Sequence, residues 1–461
     1  MNNFFTSLSF MFNSFEETIE FSLEILNFIA LGLTIILLCF FSWFYVIYAF
    51  NALRKKESIK LIAPKNKFAI LIPARNESKV IKNILNSLKN QNYDSKLYDV
   101  YVIIETLEDP TSEIVNQFGD NFHLIVRTNL EGRRTKGFAL DDAYQSIKKF
   151  NIKYDAYLIF DADNIVSKDY LLTMNSIKEL GYDIGAGYRN FTNASKNWIS
   201  LTSGILFSFV NEFTNEGKSK YFEKTNLTGT GYFISADILD RLGGWLWTGM
   251  TEDVELTYFA HQNNLKMKYY SKVHYFDEQA TDFKTLHSQH VRWVWGYMNK
   301  EKKKTVNKEK DSIKSENKLK RFFRKFEQKL GIYPFLIFTV SELVVWLIDR
   351  IFGFICLGLG SSGYIIQNAF IFGTFHLLIL YLTFVIVALF TICIDKENQN
   401  FTLKQRIKSV VTYPIFFFDF VLAYFDGLIH KNKRTNWKII KHSGEILDLD
   451  AKNLKEGKNN E

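Results

Sequence analysis

Cysteine is scarce in this chain, and its scarcity excludes two kinds of protein. Only three cysteines occur among 461 residues, and two of them, Cys356 and Cys393, lie in apolar stretches. A disulfide-stabilised secreted domain and a cysteine-based zinc site are therefore both excluded. The histidines also lack metal-ligand spacing, and we interpret them as structural.

The chain is basic but lacks a recognised nucleic-acid-binding motif. Its formal net charge is +8 at pH 7, and the basic residues cluster beside apolar stretches. This distribution is typical of a membrane protein whose basic segments face anionic lipid. We therefore expect the membrane as a partner and no nucleic acid. The sequence identifies no protein partner.

Long apolar stretches, by contrast, are abundant. The first runs from about Leu26 to Phe50 and is long enough to cross a bilayer. Because Arg54, Lys55 and Lys56 follow it, its C-terminal end is expected in the cytosol. A typical cleaved signal peptide is excluded, since the stretch is too long and the segment before it is acidic. That acidic segment could form a short helix on the outer face.

The C-terminal part contains further apolar stretches. Residues 332–394 are almost continuously apolar, and a break at Ser361-Ser362-Gly363 predicts two crossings. Residues 410–429 contain Pro414 and have basic residues on both sides, so they form either a crossing or a re-entrant segment. Ionisable residues at membrane depth usually face a protein interior or a wet cavity. Those found here are Glu342, Asp349, Arg350, Asp419 and Asp426.

These stretches divide the chain into five segments. They are an N-terminal segment with a transmembrane helix (1–53), a cytosolic domain (54–299), a basic linker with an interfacial helix (300–334), a C-terminal transmembrane region (335–430) and a polar cytosolic tail (431–461). The linker is either solvated or amphipathic on the inner leaflet, with Phe322, Phe323 and Phe326 facing lipid. We expect a multi-pass protein of the cell membrane.

The central segment has the alternating pattern of an α/β domain. Apolar runs at 68–72, 99–104, 123–126 and 155–160 predict strands, and helical spacing at 80–88 and 138–150 predicts helices. Such alternation predicts a parallel sheet with helices on both faces. Ligands of such sheets bind beyond the C-terminal strand ends.

The pattern Asp161-Ala162-Asp163 lies at one of those strand ends. Two carboxylates at this spacing can bind one hard cation, Mg²⁺ or Mn²⁺, whose other ligands are commonly substrate phosphates. The competing interpretation is an aspartate that caps the next helix.

Three other segments contain groups suited to a nucleotide. Arg75 and Glu77 follow the first strand and could bond a base or ribose, or belong to an ordinary loop and helix start. Lys136, before a helix, suits phosphate, although a solvated basic loop fits as well. Gly229 and Gly231 allow close approach of the backbone to a ligand, or form a tight turn without one.

Two further patterns lie towards the end of the domain. Thr251-Glu252-Asp253 precedes a predicted helix, where a carboxylate could accept a proton or could only cap the helix. In residues 289–293, a helix would place Gln289, Arg292 and Trp293 on one face. Arg292 could neutralise a departing diphosphate and Trp293 could stack on a sugar. Alternatively, the tryptophan packs in the core and the arginine lies on the surface.

In this order, the motifs resemble the membrane-embedded, inverting family 2 glycosyltransferases, which include cellulose, hyaluronan and poly-N-acetylglucosamine synthases. The resemblance covers about residues 68–296 and the flanking apolar stretches, and it includes Phe276-Asp277-Glu278-Gln279. It implies an α/β fold, namely a cytosolic glycosyltransferase A-type (Rossmann-like) domain flanked by transmembrane helices.

The resemblance also implies a role for each motif. Asp163 and Asp161 would hold Mg²⁺ or Mn²⁺ on a diphosphate, Asp253 would be the base beside Glu252, and Arg292 would stabilise the leaving group. Where the family usually has a uracil-contacting Asp, either Glu105 or Asp109 stands here. The residues expected to bind substrate are Ala74, Arg75, Glu77, Glu105, Lys136, Asp161, Gly229, Gly231, Gln289 and Trp293.

The implied activity is that of a hexosyltransferase using a UDP-sugar, with inversion from α to β, and a glycan or lipid as acceptor. We favour a β-linked polysaccharide as product, for which the ionisable residues of the apolar stretches could line a tunnel. The first alternative is a glycolipid synthase that adds one sugar to a membrane lipid. The second is a catalytically silent membrane scaffold.

Overall fold

A computed structural model describes residues 2–194, 196–299, 321–323, 325–326, 333–358, 363–395 and 401–429. Most of the basic linker, the serines of the break at 361–362 and the polar tail lie outside these described residues. Within them the chain forms an α/β domain and four long apolar helices. The α/β fold class expected from the sequence is thus confirmed.

The domain is built on an eight-stranded sheet with the order β3-β2-β1-β4-β7-β6-β8-β5. Its strands are β1 (Phe68–Pro73), β2 (Tyr98–Ile104), β3 (Phe122–Val126), β4 (Ala156–Ile159), β5 (Ile165–Val166), β6 (Ile184–Phe191), β7 (Tyr232–Ser235) and β8 (Met267–Asp277). Along β1, Phe68, Ile70 and Ile72 enter one core and Ala69 and Leu71 enter another. Both faces of this strand are therefore covered, as its continuous apolar run predicts.

The predicted parallel pairing is confirmed for the four strands from which it was inferred, but the complete sheet is mixed. Strands β1 to β4 are parallel where they pair, and so are β6 and β8. However, β7 runs antiparallel to β4 and β6, and β5 runs antiparallel to β8. The alternation that implied parallel strands ends near residue 160, and β7 enters the sheet beyond it in the opposite direction. Because Tyr232 at the start of β7 pairs with Ile159 at the end of β4, the turn before β7 lies beside Asp161.

Nine described helices complete the domain. They are α2 (Ile81–Lys89), α3 (Thr111–Val115), α4 (Lys136–Lys149), α5 (Tyr170–Glu179), α6 (Trp198–Phe209), α7 (Lys218–Phe222), α8 (Ala236–Leu242), α9 (Glu252–Gln262) and α10 (Phe283–Met298). The two helices predicted from spacing correspond to α2 and α4. Helix α4 begins at Lys136 because the Thr135 side chain accepts a hydrogen bond from the Phe138 N–H.

The four long apolar helices are α1 (Asn2–Leu53), α11 (Tyr333–Gly358), α12 (Gly363–Ile394) and α13 (Leu403–Ile429). By length and composition, three stretches of the described residues could cross a membrane: Glu24–Leu53, Ile365–Ile394 and Leu403–Ile429. Helix α11, which contains Glu342, Asp349 and Arg350, is not one of the three.

Two predictions about these helices change. The acidic segment before the first stretch does not form a separate short helix, because α1 is continuous from Asn2 to Leu53. Helix α13 is 27 residues long and continues through Pro414 without a break. A continuous helix does not turn back as a re-entrant segment would, and by length and composition this helix could cross a membrane.

The three linker phenylalanines do not share one environment. Phe322 is exposed, but the rings of Phe323 and Phe326 lie 6.4 Å and 6.5 Å from that of Phe44 in α1. Phe323 and Phe326 therefore have a packing partner in the first apolar helix, and the contact of the three rings with lipid stays a prediction.

Helix α6 continues through a π-helical segment (Val210–Gly217) into α7, and this unit joins the domain to α1. A Cβ at Gly217 would overlap the carbonyl oxygen of Tyr48 in α1, so the helices approach closely there. Lys56 forms an ion pair of 3.0 Å with Glu212, which is 1% exposed. Burial raises the pKa of Glu212 to about 7, although Lys56 opposes this effect. The junction therefore contains a group that titrates near neutral pH.

Candidate active site

Asp161 and Asp163 lie in the turn after β4. The turn leads into β5, so neither residue caps a helix and that alternative is wrong. The Asp161 N–H faces Asn164 Oδ1 at 3.1 Å and Thr230 Oγ1 at 3.0 Å, which holds the turn in place. The Asp161 side chain is 38% exposed, so its carboxylate is accessible to a ligand.

Lys136, the first residue of α4, joins three of the predicted motifs. Its Nζ forms an ion pair with Asp161, donates to the Gly229 carbonyl at 2.6 Å and lies 3.6 Å from Glu252 Oε1. Burial lowers the pKa of Lys136, but Asp161 and Glu252 more than offset that effect, and the net pKa is raised. Lys136 is therefore a buried cation between two carboxylates rather than part of a solvated loop.

The turn before β7 requires glycine at two positions. Gly229 and Gly231 have φ values of +87° and +66°, which side chains rarely adopt. A Cβ at Gly231 would overlap the ring of Tyr275, and one at Gly229 would lie 3.7 Å from Asp253 Oδ2. The backbone of this turn therefore runs directly beside the predicted base.

Glu252 and Asp253 occupy the first turn of α9. Glu252 is 4% exposed, whereas Asp253 is only half-buried. Burial raises the pKa of both carboxyl groups, and Lys136 opposes the effect at each. A carboxylate with a raised pKa accepts a proton more readily at neutral pH, which suits the half-buried Asp253 to the role of a base.

Helix α10 presents Arg292 to this acidic group. Gly296, one turn later on the same face, packs so closely against Thr251 that a Cβ would overlap its side chain. Burial lowers the pKa of Arg292, while the charges of Glu252, Asp161 and Asp253 act in the opposite direction. Arg292 is thus close enough to these carboxylates to stabilise negative charge in the site.

Trp293 lies on the other side of α10, against the apolar helices. Its ring centroid is 6.1 Å from that of Phe207 in α6 and 6.5 Å from that of Phe420 in α13. These contacts match the alternative in which the tryptophan packs in a core, although its side chain is only half-buried. Gln289, one turn before, is also half-buried.

The ends of β1 and β2 form the other edge of the site. Arg75 Nε lies 3.2 Å from Glu105 Oε2, and both side chains are partly exposed. Asp109 is 4% exposed and accepts the Asn76 N–H at 2.7 Å and the Thr111 N–H at 2.9 Å. Of the two acidic residues left open by the sequence, Glu105 is therefore the one accessible to a ligand.

Ala74 and Glu77 are placed by their backbones in the same region. The Ala74 N–H donates to Ile103 O at 2.8 Å, which continues the β1–β2 pairing, and the Glu77 N–H donates to Thr111 Oγ1 at 3.1 Å.

Arg189 of β6 is a site residue that sequence reasoning missed. Its Nε donates to Asp277 Oδ2 at 2.9 Å, and its Nη1 donates to the Thr228 carbonyl at 2.8 Å. The Gln279 Nε2 donates to the other Asp277 oxygen at 2.9 Å. The available signals were the motif at 276–279 and a single arginine in an otherwise uncharged strand.

The residue types at the β4 end fit a divalent cation. Asp161 and Asp163 supply carboxylate oxygens, the ligands preferred by Mg²⁺ and Mn²⁺, and the Asp161 side chain is accessible. The described residues contain no group of three or more His, Cys, Asp or Glu side chains placed to hold a metal by themselves. An ion here would therefore need further oxygen ligands, such as those of a diphosphate.

The structure thus gathers Lys136, Asp161, Glu252, Asp253 and Arg292 into one charged cleft. Residues 64–296 match the family model described as "Glycosyltransferase like family 2". Because this match spans half of the chain, the protein belongs to glycosyltransferase family 2.

Several curated proteins are similar to this chain. It is 23% identical to "Probable glycosyltransferase YdaM" of Bacillus subtilis, over 55% of this chain and 59% of that protein. It is 25% identical to "Beta-monoglucosyldiacylglycerol synthase" of Trichormus variabilis, over 50% and 48%. It is 22% identical to "Poly-beta-1,6-N-acetyl-D-glucosamine synthase" of Staphylococcus epidermidis, over 50% and 54%. The chain thus matches only about half the length of these relatives.

A solved structure supports the fold. The mannosyltransferase PcManGT from Pyrobaculum calidifontis, in complex with GDP-Man and Mn²⁺, is similar with a TM-score of 0.52 and 15% sequence identity. The similarity covers 87% of this chain and 99% of that chain. At this identity, it demonstrates a shared fold alone.

Proposed function

We propose that this glycosyltransferase transfers a hexose from a UDP-sugar with inversion, using Asp253 as the base. The observation that carries the proposal is the convergence of Asp253, Lys136 and Arg292 in one cleft. Asp253 is half-buried beside the Gly229 turn, which leaves it accessible to an acceptor. The positive charges of Lys136 and Arg292 offset the negative charges of the carboxylates around Asp253.

In the proposed reaction, Asp253 removes the proton from an acceptor hydroxyl. The oxygen forms a bond with the anomeric carbon from the face opposite the diphosphate. The bond from that carbon to the diphosphate oxygen breaks, and UDP leaves with the electron pair. Arg292 and Lys136 stabilise the negative charge that develops, each contributing roughly 3 kcal/mol as is typical of a well-placed group.

Asp163 and Asp161 would hold Mg²⁺ or Mn²⁺ in this proposal. The bound ion would supply positive charge to the diphosphate. Since Lys136 already neutralises part of the Asp161 charge, Asp163 would be the main protein ligand. Gln289 would border the sugar side of the cleft, whereas the Trp293 ring packs against the apolar helices on the other side of α10.

The nucleoside would lie at the edge formed by β1 and β2. There the Ala74 backbone, the Arg75–Glu105 pair and Glu77 provide hydrogen-bonding groups. Glu105 would accept from the uracil in place of the family's aspartate. Gly229 and Gly231 would allow the backbone to approach the diphosphate and sugar closely.

The burial of polar side chains between the apolar helices bears on the acceptor. Glu342, Asp349 and Asp419, which were expected to line a tunnel, are each at most 1% exposed. Glu342 is bonded to His376 at 2.8 Å, and Asp419 to His287 at 2.6 Å. Asp426 is 25% exposed and Arg350 is half-buried. Because three of the five ionisable groups expected to line a tunnel are enclosed by protein, we favour the transfer of one sugar to a membrane lipid.

The similarity to a glucosyldiacylglycerol synthase supports the lipid acceptor. A β-linked polysaccharide is the second candidate product, favoured by the similarity to a poly-N-acetylglucosamine synthase. For either product we place the protein in the cell membrane with its catalytic domain in the cytosol, because Arg54, Lys55 and Lys56 follow α1.

The test uses the full chain reconstituted in lipid vesicles. UDP-sugars and, for comparison, GDP-sugars are supplied with Mn²⁺, Mg²⁺ or EDTA, and nucleotide release is measured. Labelled products are separated into lipid extract and polymer by size. We expect metal-dependent UDP release, lost at least about 100-fold in Asp253→Asn. Retained UDP release at the wild-type rate in that variant would overturn the assignment of the base, and no release from any donor would support a silent scaffold.

A further inference from the structure

Two histidines of α10 converge on one aspartate of the apolar helix α13. Asp419 is fully buried, at 0% exposure. Its Oδ1 lies 2.6 Å from His287 Nδ1, and its Oδ2 lies 2.7 Å from His290 Nδ1. Both carboxylate oxygens are therefore bonded to the helix that carries Arg292 and Trp293.

His287 also contacts a second aspartate of α13. Its Nε2 lies 3.3 Å from Asp426 Oδ2, and Asp426 is seven residues, or about two helical turns, after Asp419. Carboxylates accept hydrogen bonds and do not donate them when ionised, so His287 can satisfy both contacts only with a proton on each ring nitrogen. The arrangement therefore fits an imidazolium between two carboxylates.

His290 is held differently. It is fully buried, and its ring stacks on that of Phe420 with centroids 3.8 Å apart. Burial lowers the pKa of His290 although Asp419 opposes the effect, so the ring is neutral at pH 7 and donates from Nδ1. Its Nε2 has no hydrogen-bond partner among the described residues. Asp419 thus binds two histidines in different surroundings, one partly exposed and one fully buried.

The same interface also contains apolar contacts. Val291 and Val294 of α10 pack with Phe416, Phe420 and Ala423 of α13 in one buried cluster. These contacts alone could hold the two helices together, but apolar packing is not directional. Hydrogen bonds are directional, and the pair to Asp419 joins α10 to α13 at two positions, His287 and His290.

We propose that Asp419 is a positioning residue for sugar transfer. By binding His287 and His290 it fixes α10 on an apolar helix of the membrane region, so that Arg292 faces the acidic cleft. This inference rests on the proposed function, because Arg292 matters only if the cleft transfers a sugar. It makes the geometry of the active site dependent on α13.

Four ionisable side chains of the described residues form the cluster. Asp419 and Asp426 face it from α13, and His287 and His290 from α10. Helix α6, which contributes Ile199 to the same apolar cluster, contains no ionisable side chain.

The experiment compares Asp419→Asn, Asp426→Asn and the control Asp237→Asn in the full chain in lipid nanodiscs. Asp237 forms an exposed pair with Arg241, so its variant should behave as wild type. An asparagine at 419 has one acceptor oxygen and no charge, so it cannot accept from each histidine through a separate oxygen as the carboxylate does. For Asp419→Asn we expect a kcat at least tenfold lower than that of wild type, with the donor KM within twofold. We also expect faster amide hydrogen exchange across residues 283–298 in this variant.

The second variant, Asp426→Asn, keeps both contacts to Asp419 and weakens the longer contact to His287. It should show a smaller increase of exchange in α10 than Asp419→Asn, because Asp419 still binds both histidines. Wild-type exchange and kcat in Asp419→Asn would overturn the proposal. If no nucleotide-sugar is turned over by the wild type, the proposed function fails, while the exchange data still test the link between the helices.

Discussion

Gly296 of α10 lies directly against Thr251, the residue before the acidic pair of α9. A Cβ at position 296 would overlap the Thr251 side chain. Arg292 is one helical turn earlier on the same face, so this contact sets how closely the guanidinium approaches Glu252 and Asp253.

We expect Gly296→Ala to lower kcat at least about tenfold, because α10 must move away from α9 and misplaced catalytic groups cost large factors in rate. Alanine itself favours a helix by roughly 1 kcal/mol over glycine, so loss of activity without loss of stability would identify the contact as the cause. The control is Gly32→Ala, where a Cβ meets nothing within 4 Å. Wild-type turnover in Gly296→Ala would contradict the close packing.

Replacing Lys136 by methionine should destabilise the protein and abolish transfer. The change leaves Asp161 and Glu252 beside a buried position without their cation, which typically costs about 3–5 kcal/mol. Burial already raises the pKa of Glu252, and the loss of Lys136 raises it further. The wild-type folded pKa is already about 8, so only the variant keeps this proton in its folded form above that pH, and the destabilisation should be smaller at pH 7 than at pH 9.

Thermal unfolding of the Lys136→Met variant at both pH values checks this expectation. The control is Lys148→Met, since the exposed pair of Lys148 and Asp240 should contribute less than about 1 kcal/mol. Equal losses of stability in the two variants would show that the buried contacts of Lys136 are unimportant.

Arg189→Lys should reduce transfer about 10- to 100-fold while the protein remains folded. A lysine keeps the charge near Asp277 but cannot also donate to the Thr228 carbonyl, and the turn beside Asp253 would lose its support. Steady-state kinetics of the reconstituted enzyme would measure the effect. Arg241→Lys alters an exposed pair with Asp237 and should have wild-type kinetics. If the two variants behave alike, Arg189 does not position the turn.

Glu212 should make the stability of the junction depend on pH. Its folded-state pKa is about 7 against an ordinary value of 4.5, so the folded form retains the proton when the unfolded form has lost it. Stability should therefore fall as pH rises from about 4.5 to 7, by at most about 3 kcal/mol. The melting temperature of Glu212→Gln should vary less over this range than that of wild type. If the melting temperatures of wild type and Glu212→Gln change with pH in the same way, Glu212 is not the group that makes stability depend on pH.

Local patterns predicted much of the domain. The run Phe68–Ile72 and the following Pro73 correspond to β1, and the positions of Asp161 and Asp253 at a strand end and a helix start are as expected. The direction of β7 was not predictable, because a four-residue strand has the same local pattern in either direction and its neighbours determine its orientation. Arg189 was missed for a similar reason, since its partner Asp277 is 88 residues away.

The choice between Glu105 and Asp109 shows where local reasoning ends. Both follow β2, and their chemistry is the same. Only the folded chain brings the Asn76 and Thr111 N–H groups to Asp109, which leaves Glu105 exposed to a ligand. The sequence likewise assigned His287 and His290 no role, because Asp419 lies more than a hundred residues away along the chain.

The sequence by itself determined the order of the motifs, the α/β class and the apolar stretches, because periodicity and turn chemistry are local properties. Tertiary structure decided which charges meet. Lys136 became a buried link between Asp161 and Glu252, the cleft formed around Asp253, and α13 came to hold α10. Burial and ion pairing depend on the approach of distant segments, and packing of the whole chain sets that approach.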